Sequence, residues 1–149
     1  MRFVKPQPLC IRQYSLDDAE AVIALWESCG LTRPWNNPQR DIERKIAVED
    51  GLFLVAETAD KSQLLGSVMG GYDGHRGWIN YLAVGPEHQR QGIARSLVEE
   101  IEKLLLAQGC PKINLQVRTG NDDVLAFYDA LGFSVDQAVS MGKRLIPDN

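Results

Sequence analysis

HQRQGIAR, residues 88–95, is the stretch of this sequence that most clearly indicates a binding site. It is polar, holds one glycine, and lies between a strand-like run, GWINYLAV, and a helix-like run that begins near Gly92. The start of a helix presents backbone N–H groups without partners and a partial positive charge, which together favour an anionic group such as phosphate. Gly92 lets an oxygen approach the backbone closely, and Arg90 and Arg95 add positive charge. With Ala94, which keeps the first turn slim, these residues form the group that we expect to bind a diphosphate.

The spacing of apolar residues differs on the two sides of this stretch, being that of strands before it and that of a helix after it. Three runs before it, LFLVAE, QLLGSVMGG and GWINYLAV, are rich in β-formers and separated by polar loops, which predicts an antiparallel meander. After it, apolar residues recur at helical spacing at Ile93, Leu97, Ile101, Leu104 and Leu105. KINLQVR alternates apolar with polar residues, which predicts another strand. FSVDQAVSMGKRL predicts two more short strands.

Capping residues indicate three further helices. Ser15 and Asp18 have the spacing of a capping box before the first helix, and Asn37 with Pro38 suits the start of the second. Asn121 is placed to cap the last helix. The predicted order is therefore α, α, β, β, β, α, β, α, β, β, which is an α/β (α+β) chain with no internal repeat.

Composition limits the classes of function. A chain of 149 residues with 44% hydrophobic and 24% charged residues fits one domain, which we assign to residues 1–149. The net charge of −4 and the lack of a basic run argue against nucleic acid as a partner. The apolar stretches are far shorter than the roughly 20 residues of a membrane span, and MRFVKPQPLC has prolines where a signal peptide is apolar. We therefore expect a cytoplasmic protein without a membrane partner, and the few, scattered cysteines and histidines predict no disulfide framework and no metal site.

The stretch at residues 88–95 contains neither a Walker loop nor GxGxxG, which argues against ATP and NAD. It does contain Q/R-x-x-G-x-G/A, and in this form it resembles the acyl-CoA pyrophosphate loop of the GNAT superfamily of N-acetyltransferases. The resemblance implies that the residues of the motif bind the cofactor: Gln89, Arg90, Gln91, Gly92, Ile93 and Ala94. Other marks of that superfamily follow in order: YLAV before the loop, and then Asn121, Tyr128, Gly132 and Phe133. LTRPWNNPQRDIERK and GGYDGHRG resemble the small stand-alone bacterial acetyltransferases of the YpeA type.

The resemblance implies a GNAT-like fold with a site for acetyl-CoA. The implied sheet is mixed and mostly antiparallel, with about six or seven strands splayed at the centre and about four flanking helices. GWINYLAV and KINLQVR would be the strands that part to admit the pantetheine arm, with Leu82 and Val84 bonding its amides. A backbone N–H near Leu82 would face the thioester oxygen and stabilise the negative charge that develops there.

The resemblance also assigns chemistry to side chains. Tyr128 matches the general acid that protonates the departing CoA thiolate, and its alternative is a core tyrosine. Asn121 either bonds the cofactor, caps its helix, or does both. Gln116 stands where protein N-terminal acetyltransferases of the ribosomal-alanine type carry a glutamate base, so the proton of the amine would go to Asp73, His75 or water.

The acceptor is expected at the loop GLTRPWNNP, where Arg33 could pair with a carboxylate and Trp35 could offer a ring face. The alternative is a stiff connection whose tryptophan fills the core. The whole sequence predicts an acetyl-CoA-dependent N-acetyltransferase acting by direct attack in a ternary complex, with a non-catalytic acyl-CoA sensor as the alternative. It leaves open the acceptor amine, the acyl length, and whether the chain is a monomer or a homodimer paired through VSMGKRL.

Overall fold

The computed structural model describes residues 8–148. In this range the elements in chain order are β1 (Leu9–Gln13), α1 (Ala19–Ser28), α2 (Pro38–Val48), β2 (Phe53–Thr58), β3 (Leu64–Tyr72), β4 (Gly77–Val84), α3 (Ile93–Ala107), β5 (Ile113–Leu115) and α4 (Asp122–Ala130). Short 3-10 turns precede α1 and follow β4. None of the helices in residues 8–148 reaches the length and hydrophobicity of a membrane span. Most of MRFVKPQPLC, in which we expect no signal peptide, falls in residues 1–7 and lies outside the described residues.

The strands form one sheet in the order β1-β2-β3-β4-β5. Neighbouring strands run antiparallel except β4 and β5, which run parallel. The predicted α/β class and the mixed, mostly antiparallel sheet are confirmed. The predicted count of six or seven strands is too high, because the described part of the chain holds five.

Both ends of the chain differ from the prediction. LCIRQ holds too short an apolar pattern to indicate a strand, yet it forms β1 because the edge of β2 supplies its backbone partners, as in the pairing of Ile11 with Ala56. The two strands predicted in FSVDQAVSMGKRL are not formed within the described residues. Val139 and Met141 alternate as in a strand but are 90% and 92% exposed, and β5 offers only three residues at the sheet edge for pairing. An alternating pattern becomes a strand only where a partner edge is available.

Helix α3 covers one face of the sheet. The apolar side chains that it buries against the sheet are Ile93, Leu97, Val98, Ile101 and Leu105. The approach is close, since a Cβ at Gly66 of β3 would lie 3.1 Å from Leu97 Cδ1 and 2.8 Å from the carbonyl oxygen of Ala83. Tyr128 of α4 belongs to the same apolar cluster. Side chains of this kind each contribute about 1.5–3 kcal/mol when fully buried.

Helices α1 and α2 cover the opposite face. Their core contacts centre on Trp26, which is fully buried and packs with Phe53 and Ile42. The predicted capping residues are confirmed at both helices: Asp18 Oδ2 accepts from the Ser15 amide at 2.8 Å, and Asn37 caps α2. The sheet is therefore enclosed by different helices on its two faces.

Strands β4 and β5 separate at one end. They pair at three positions, the last of which joins Ile79 to Leu115. Beyond this pair β5 ends, whereas β4 continues to Val84 without a partner on that side in the described residues. We expect the splay at the centre of the sheet, whereas the pairing between parallel strands ends here at one edge of the five strands that the structure describes.

Candidate active site

The crevice between β4 and β5 begins next to a bulge in β4. Ser67 of β3 pairs with Ala83, and Met69 pairs with Asn80, so that two residues of β4, Tyr81 and Leu82, lie opposite one residue of β3. Tyr81 has a left-handed φ of 51°, which non-glycine residues rarely adopt. Such an insertion bends the strand and re-aims its backbone groups. The bulge therefore includes the half-buried Leu82, whose neighbourhood the sequence predicts for the thioester oxygen.

Two buried side chains hold the bulge. The indole Nε1 of Trp26 donates to Ser67 Oγ at 2.9 Å, and Ser67 Oγ donates to the carbonyl oxygen of Tyr81 at 3.0 Å. The indole of Trp26 also stacks on the Tyr81 ring, with 3.9 Å between ring centroids. Trp26 and Ser67 are both fully buried, so each polar atom in this chain has its partner away from water.

The loop at residues 88–92 ends at the start of α3, as the sequence predicts. Gly92 adopts φ +81°, and a Cβ there would meet no atom of residues 8–148 within 4 Å, so the space beside it is open in this part of the chain. Among the same residues no side chain caps the first turn of α3, which leaves its leading amides without partners there. Arg90 and Gln91 are exposed beside this turn, and Ile93 is buried in the core, so that only its backbone faces outward. The loop thus has the open space and the free donors that a diphosphate requires.

Other predicted residues of this region have partners within the protein. The side-chain amide of Gln89 donates to the carbonyl oxygen of Val84 at 3.2 Å, and Cys29 Sγ donates to the same oxygen at 3.3 Å. Arg95 forms an exposed ion pair with Glu99 at 3.0 Å. The Val84 carbonyl is therefore already occupied, and Arg95 is only loosely held, because exposed pairs of this type contribute little.

Tyr128 approaches from the α3 face of the sheet. Its side chain is buried, and its ring meets Phe127 and Phe133 edge-on at centroid distances of 5.0 and 5.3 Å. The hydroxyl makes no hydrogen bond to the described part of the chain. Burial raises the pKa of Tyr128 to about 12, so the phenol stays protonated at neutral pH.

The face of α1 and α2 carries a second tyrosine, which the sequence did not mark. The Tyr81 hydroxyl donates to Asp41 Oδ2 of α2 at 2.5 Å. Burial, the hydrogen bond to Asp41, and the charges of Asp41 and Asp148 raise the pKa of Tyr81 above its usual value. This contact joins the bulge of β4 directly to α2.

The loop between α1 and α2 reaches across to the chain that follows β5. The guanidinium of Arg118 lies over the ring of Trp35, 5.6 Å from its centroid. Trp35 is 50% exposed, so it does not fill the core, and Arg33 is half-buried in the same loop. The loop predicted for the acceptor therefore lies near the end of β5.

Three predicted residues lie apart from this group or have another role. Asp73 and His75 are in the loop before Gly77, at the paired end of β4, about 15 Å along the strand from Leu82 at a rise of ~3.3 Å per residue. Asp73 accepts from the amides of His75 and Arg76, which lowers its pKa and ties it to this turn. Asn121 accepts from the amide of Val124 at 3.4 Å as the cap of α4.

Comparison with known proteins defines the class. Residues 17–133 match the profile of the Acetyltransferase (GNAT) family. An acetyltransferase of Pectobacterium atrosepticum is 52% identical over 138 residues, covering 93% of this chain and 96% of the relative. Ard1 from Thermoplasma volcanium superposes with a TM-score of 0.76 at 26% identity, covering 86% of this chain and 84% of that one.

A more distant structure shares the fold. AAC(6′)-Iy, solved in complex with the bisubstrate analog CoA-S-monomethyl-acetylneamine, superposes with a TM-score of 0.72 at 16% identity, covering 91% of this chain and 98% of that one. Fold and relatives together define an acyltransferase enzyme. The chain belongs to the Acetyltransferase (GNAT) family, as the sequence motifs predict.

Proposed function

We propose that this protein transfers the acetyl group of acetyl-CoA to the nitrogen of a primary amine, with both substrates bound at once. The observation that carries the proposal is the parting of β4 from β5 beyond Ile79, directly before the uncapped start of α3. Acetyl-CoA supplies an activated acetyl thioester on a long arm that ends in a diphosphate. The residues present fit such a molecule, because in the described residues the edge of β4 lacks a partner beyond Ile79 and the start of α3, separated from β4 by residues 85–92, is uncapped beside open space at Gly92.

Backbone groups would bind the donor. The free amides at the start of α3 receive the diphosphate, and each charge-assisted bond there is worth about 1.5–3 kcal/mol. The open edge of β4 at Leu82 offers hydrogen bonds to the pantetheine amides. The Leu82 amide also donates to the carbonyl oxygen of the thioester, where negative charge develops as the amine attacks.

Tyr128 would complete the reaction on the α3 side. As the new C–N bond forms and the C–S bond breaks, Tyr128 gives its phenolic proton to the departing sulfur and later regains one from solvent. Its hydroxyl is free for this contact, because it has no hydrogen-bond partner among residues 8–148. Its raised pKa keeps it in the proton-donating form at neutral pH.

Direct attack is favoured over an acyl-cysteine route. Cys29 lies at the Val84 end of β4, where its Sγ donates to the Val84 carbonyl at 3.3 Å. Burial raises the pKa of Cys29, which disfavours the thiolate that a covalent route requires.

The test measures acetyl-CoA binding by calorimetry and release of free thiol with and without an amine. The probes are n-butylamine, lysine amide and peptides with a free N-terminus. Thiol release that needs an amine supports the proposal and ranks the acceptors. Tight binding without release for any of these amines replaces it with the acyl-CoA sensor, and absence of binding overturns both.

A further inference from the structure

The Tyr81–Asp41 pair lies on the face of the sheet that α1 and α2 cover. Tyr81 is in the bulge next to Leu82, and its ring belongs to the apolar cluster of α1 and α2 rather than to the cluster that contains Tyr128. The two tyrosines therefore approach the parted strands from opposite faces of the sheet. A group that serves the attacking amine is needed on the side away from the leaving sulfur.

We propose that Tyr81 contacts the nitrogen of the acceptor and relays its proton to Asp41. This inference rests on the proposed function. Tyr81 is a catalytic residue in this scheme because it touches the amine. Asp41 acts through Tyr81 and is therefore a positioning residue.

The hydrogen-bond geometry sets the direction of the relay. A phenol has one donor and can also accept, and the donor of Tyr81 is committed to Asp41 Oδ2 at 2.5 Å. Its oxygen lone pairs thus remain for an N–H of the incoming amine. Because the raised pKa of Tyr81 excludes a free tyrosinate at neutral pH, Tyr81 can give up its proton only as it receives another.

The step balances in atoms and charge. An N–H bond of the ammonium breaks and a new O–H bond forms at Tyr81, while the former hydroxyl proton of Tyr81 bonds to Asp41 Oδ2. Ammonium and carboxylate become neutral amine and carboxylic acid, and Tyr81 is unchanged. The amine then attacks the thioester, and Asp41 loses its proton to solvent after the product leaves.

Among the described residues, Asp41 has no ion pair as short as its contact with Tyr81. Arg44 Nη1 is 3.5 Å from Asp41 Oδ1, longer than a strong charge-assisted bond of about 2.7–2.9 Å. Arg44 is instead held by Asp148, with two contacts at 2.8 and 2.7 Å, and Arg40 lies 3.7 Å from Asp148. No closer cation neutralises Asp41 within the described residues.

The test compares pH profiles of kcat/KM for n-butylamine, whose ammonium has a pKa near that of lysine, about 10.4. With a working relay the ammonium form is the substrate, so the parent profile is flat between about pH 7 and about 9. Without a relay only the neutral amine reacts, and below the pKa of the ammonium the neutral fraction rises about tenfold per pH unit. The profiles of Tyr81→Phe and Asp41→Asn should therefore rise about tenfold per pH unit. At pH 7 we expect both variants to lose about 100-fold or more.

Glu43→Gln is the matched control, because it neutralises an exposed carboxylate of the same helix and should keep the parent profile. Acetyl-CoA affinity, measured separately, should change less than about twofold in all three variants. A parent profile that itself rises tenfold per unit, or variants that are slowed but stay flat, overturns the relay while the transferase stands. A parent that releases no thiol overturns the proposed function and the relay with it.

Discussion

The hydroxyl of Ser67 joins β3 to the backbone of Tyr81 in β4, donating to its carbonyl oxygen at 3.0 Å. The same oxygen of Ser67 accepts the indole N–H of Trp26 at 2.9 Å. One small side chain therefore satisfies two buried polar groups and fixes the bulge from which both Leu82 and the Tyr81 ring are directed. The position of the crevice depends on this serine as well as on the residues that line it.

Replacing Ser67 by alanine is expected to lower the free energy of unfolding by about 2–4 kcal/mol, since it leaves the Trp26 N–H and the Tyr81 carbonyl without partners in a buried site. Urea unfolding of the variant measures this loss. Ser134→Ala is the control, because Ser134 is exposed and should shift stability by less than about 0.5 kcal/mol. A loss below about 1 kcal/mol at Ser67 would show that the bulge is held in another way.

Gly92→Glu is expected to weaken acetyl-CoA binding by about tenfold or more, because a carboxylate would occupy the open space at the start of α3 and repel the diphosphate. Gly74→Glu is the matched control. Gly74 has φ +91° and equally open surroundings, so the backbone strain is similar, but it lies in the β3–β4 loop. Calorimetric titration of both variants makes the comparison, and equal loss in the two would assign the effect to strain alone.

Tyr128→Phe is expected to lower kcat by about 100-fold while leaving the affinity for acetyl-CoA unchanged, since the ring stays packed and only the proton donor is lost. Tyr72→Phe controls for removal of a phenol elsewhere; its hydroxyl makes two long hydrogen bonds of 3.4 Å near the far end of the sheet. The pKa of Tyr128, about 12, also predicts that activity does not fall through its ionisation below about pH 10. Full activity in the variant would show that Tyr128 has only a structural role.

Asp18 makes folding depend on pH. Its hydrogen bonds with Arg12, at 2.7 and 2.8 Å, are the main cause that lowers the pKa of Asp18. A lowered pKa in the folded state means that the stabilisation is present above the unfolded pKa of about 3.9 and is lost as pH falls through the folded value. Asp18→Asn should therefore be about 1.5–3 kcal/mol less stable than the parent at pH 7, and this gap should shrink below about pH 4.

Urea unfolding at pH 7 and at pH 3 measures that gap. The adjacent exposed residue provides the control, and Asp17→Asn should match the parent at both values of pH. A gap that is the same at pH 3 as at pH 7 would contradict the assignment to this ion pair.

The elements that could be predicted are those whose own residues show regular apolar spacing or capping residues. Helix α3 follows from its apolar spacing, and α2 from Asn37 and Pro38 at its start. β1 could not be predicted, because its stability comes from the edge of β2, some forty residues later in the chain. The reverse holds near Val139 and Met141, where a strand-like alternation finds no edge to pair with in the described residues.

The same distinction applies to the site. The loop at Gly92 and the phenol of Tyr128 lie in short motifs that can be read directly. The contact of Tyr81 with Asp41 joins positions forty residues apart, and each has an ordinary local explanation, as a strand aromatic and as an acid in the first turn of a helix. Only the bulge, which no local pattern of GWINYLAV indicates, directs the Tyr81 side chain towards α2.

The bulge at Tyr81 also affects how this protein meets other protein molecules. A straight strand with unpaired backbone groups is a template on which a strand of another molecule can add, and repeated addition leads to aggregation. Beyond Ile79 the edge of β4 has no partner strand on one side within the described residues, so it presents that hazard. The left-handed turn at Tyr81 interrupts the regular spacing that an added strand would need. The irregularity thus disfavours the addition of a strand from a neighbouring polypeptide at the open edge.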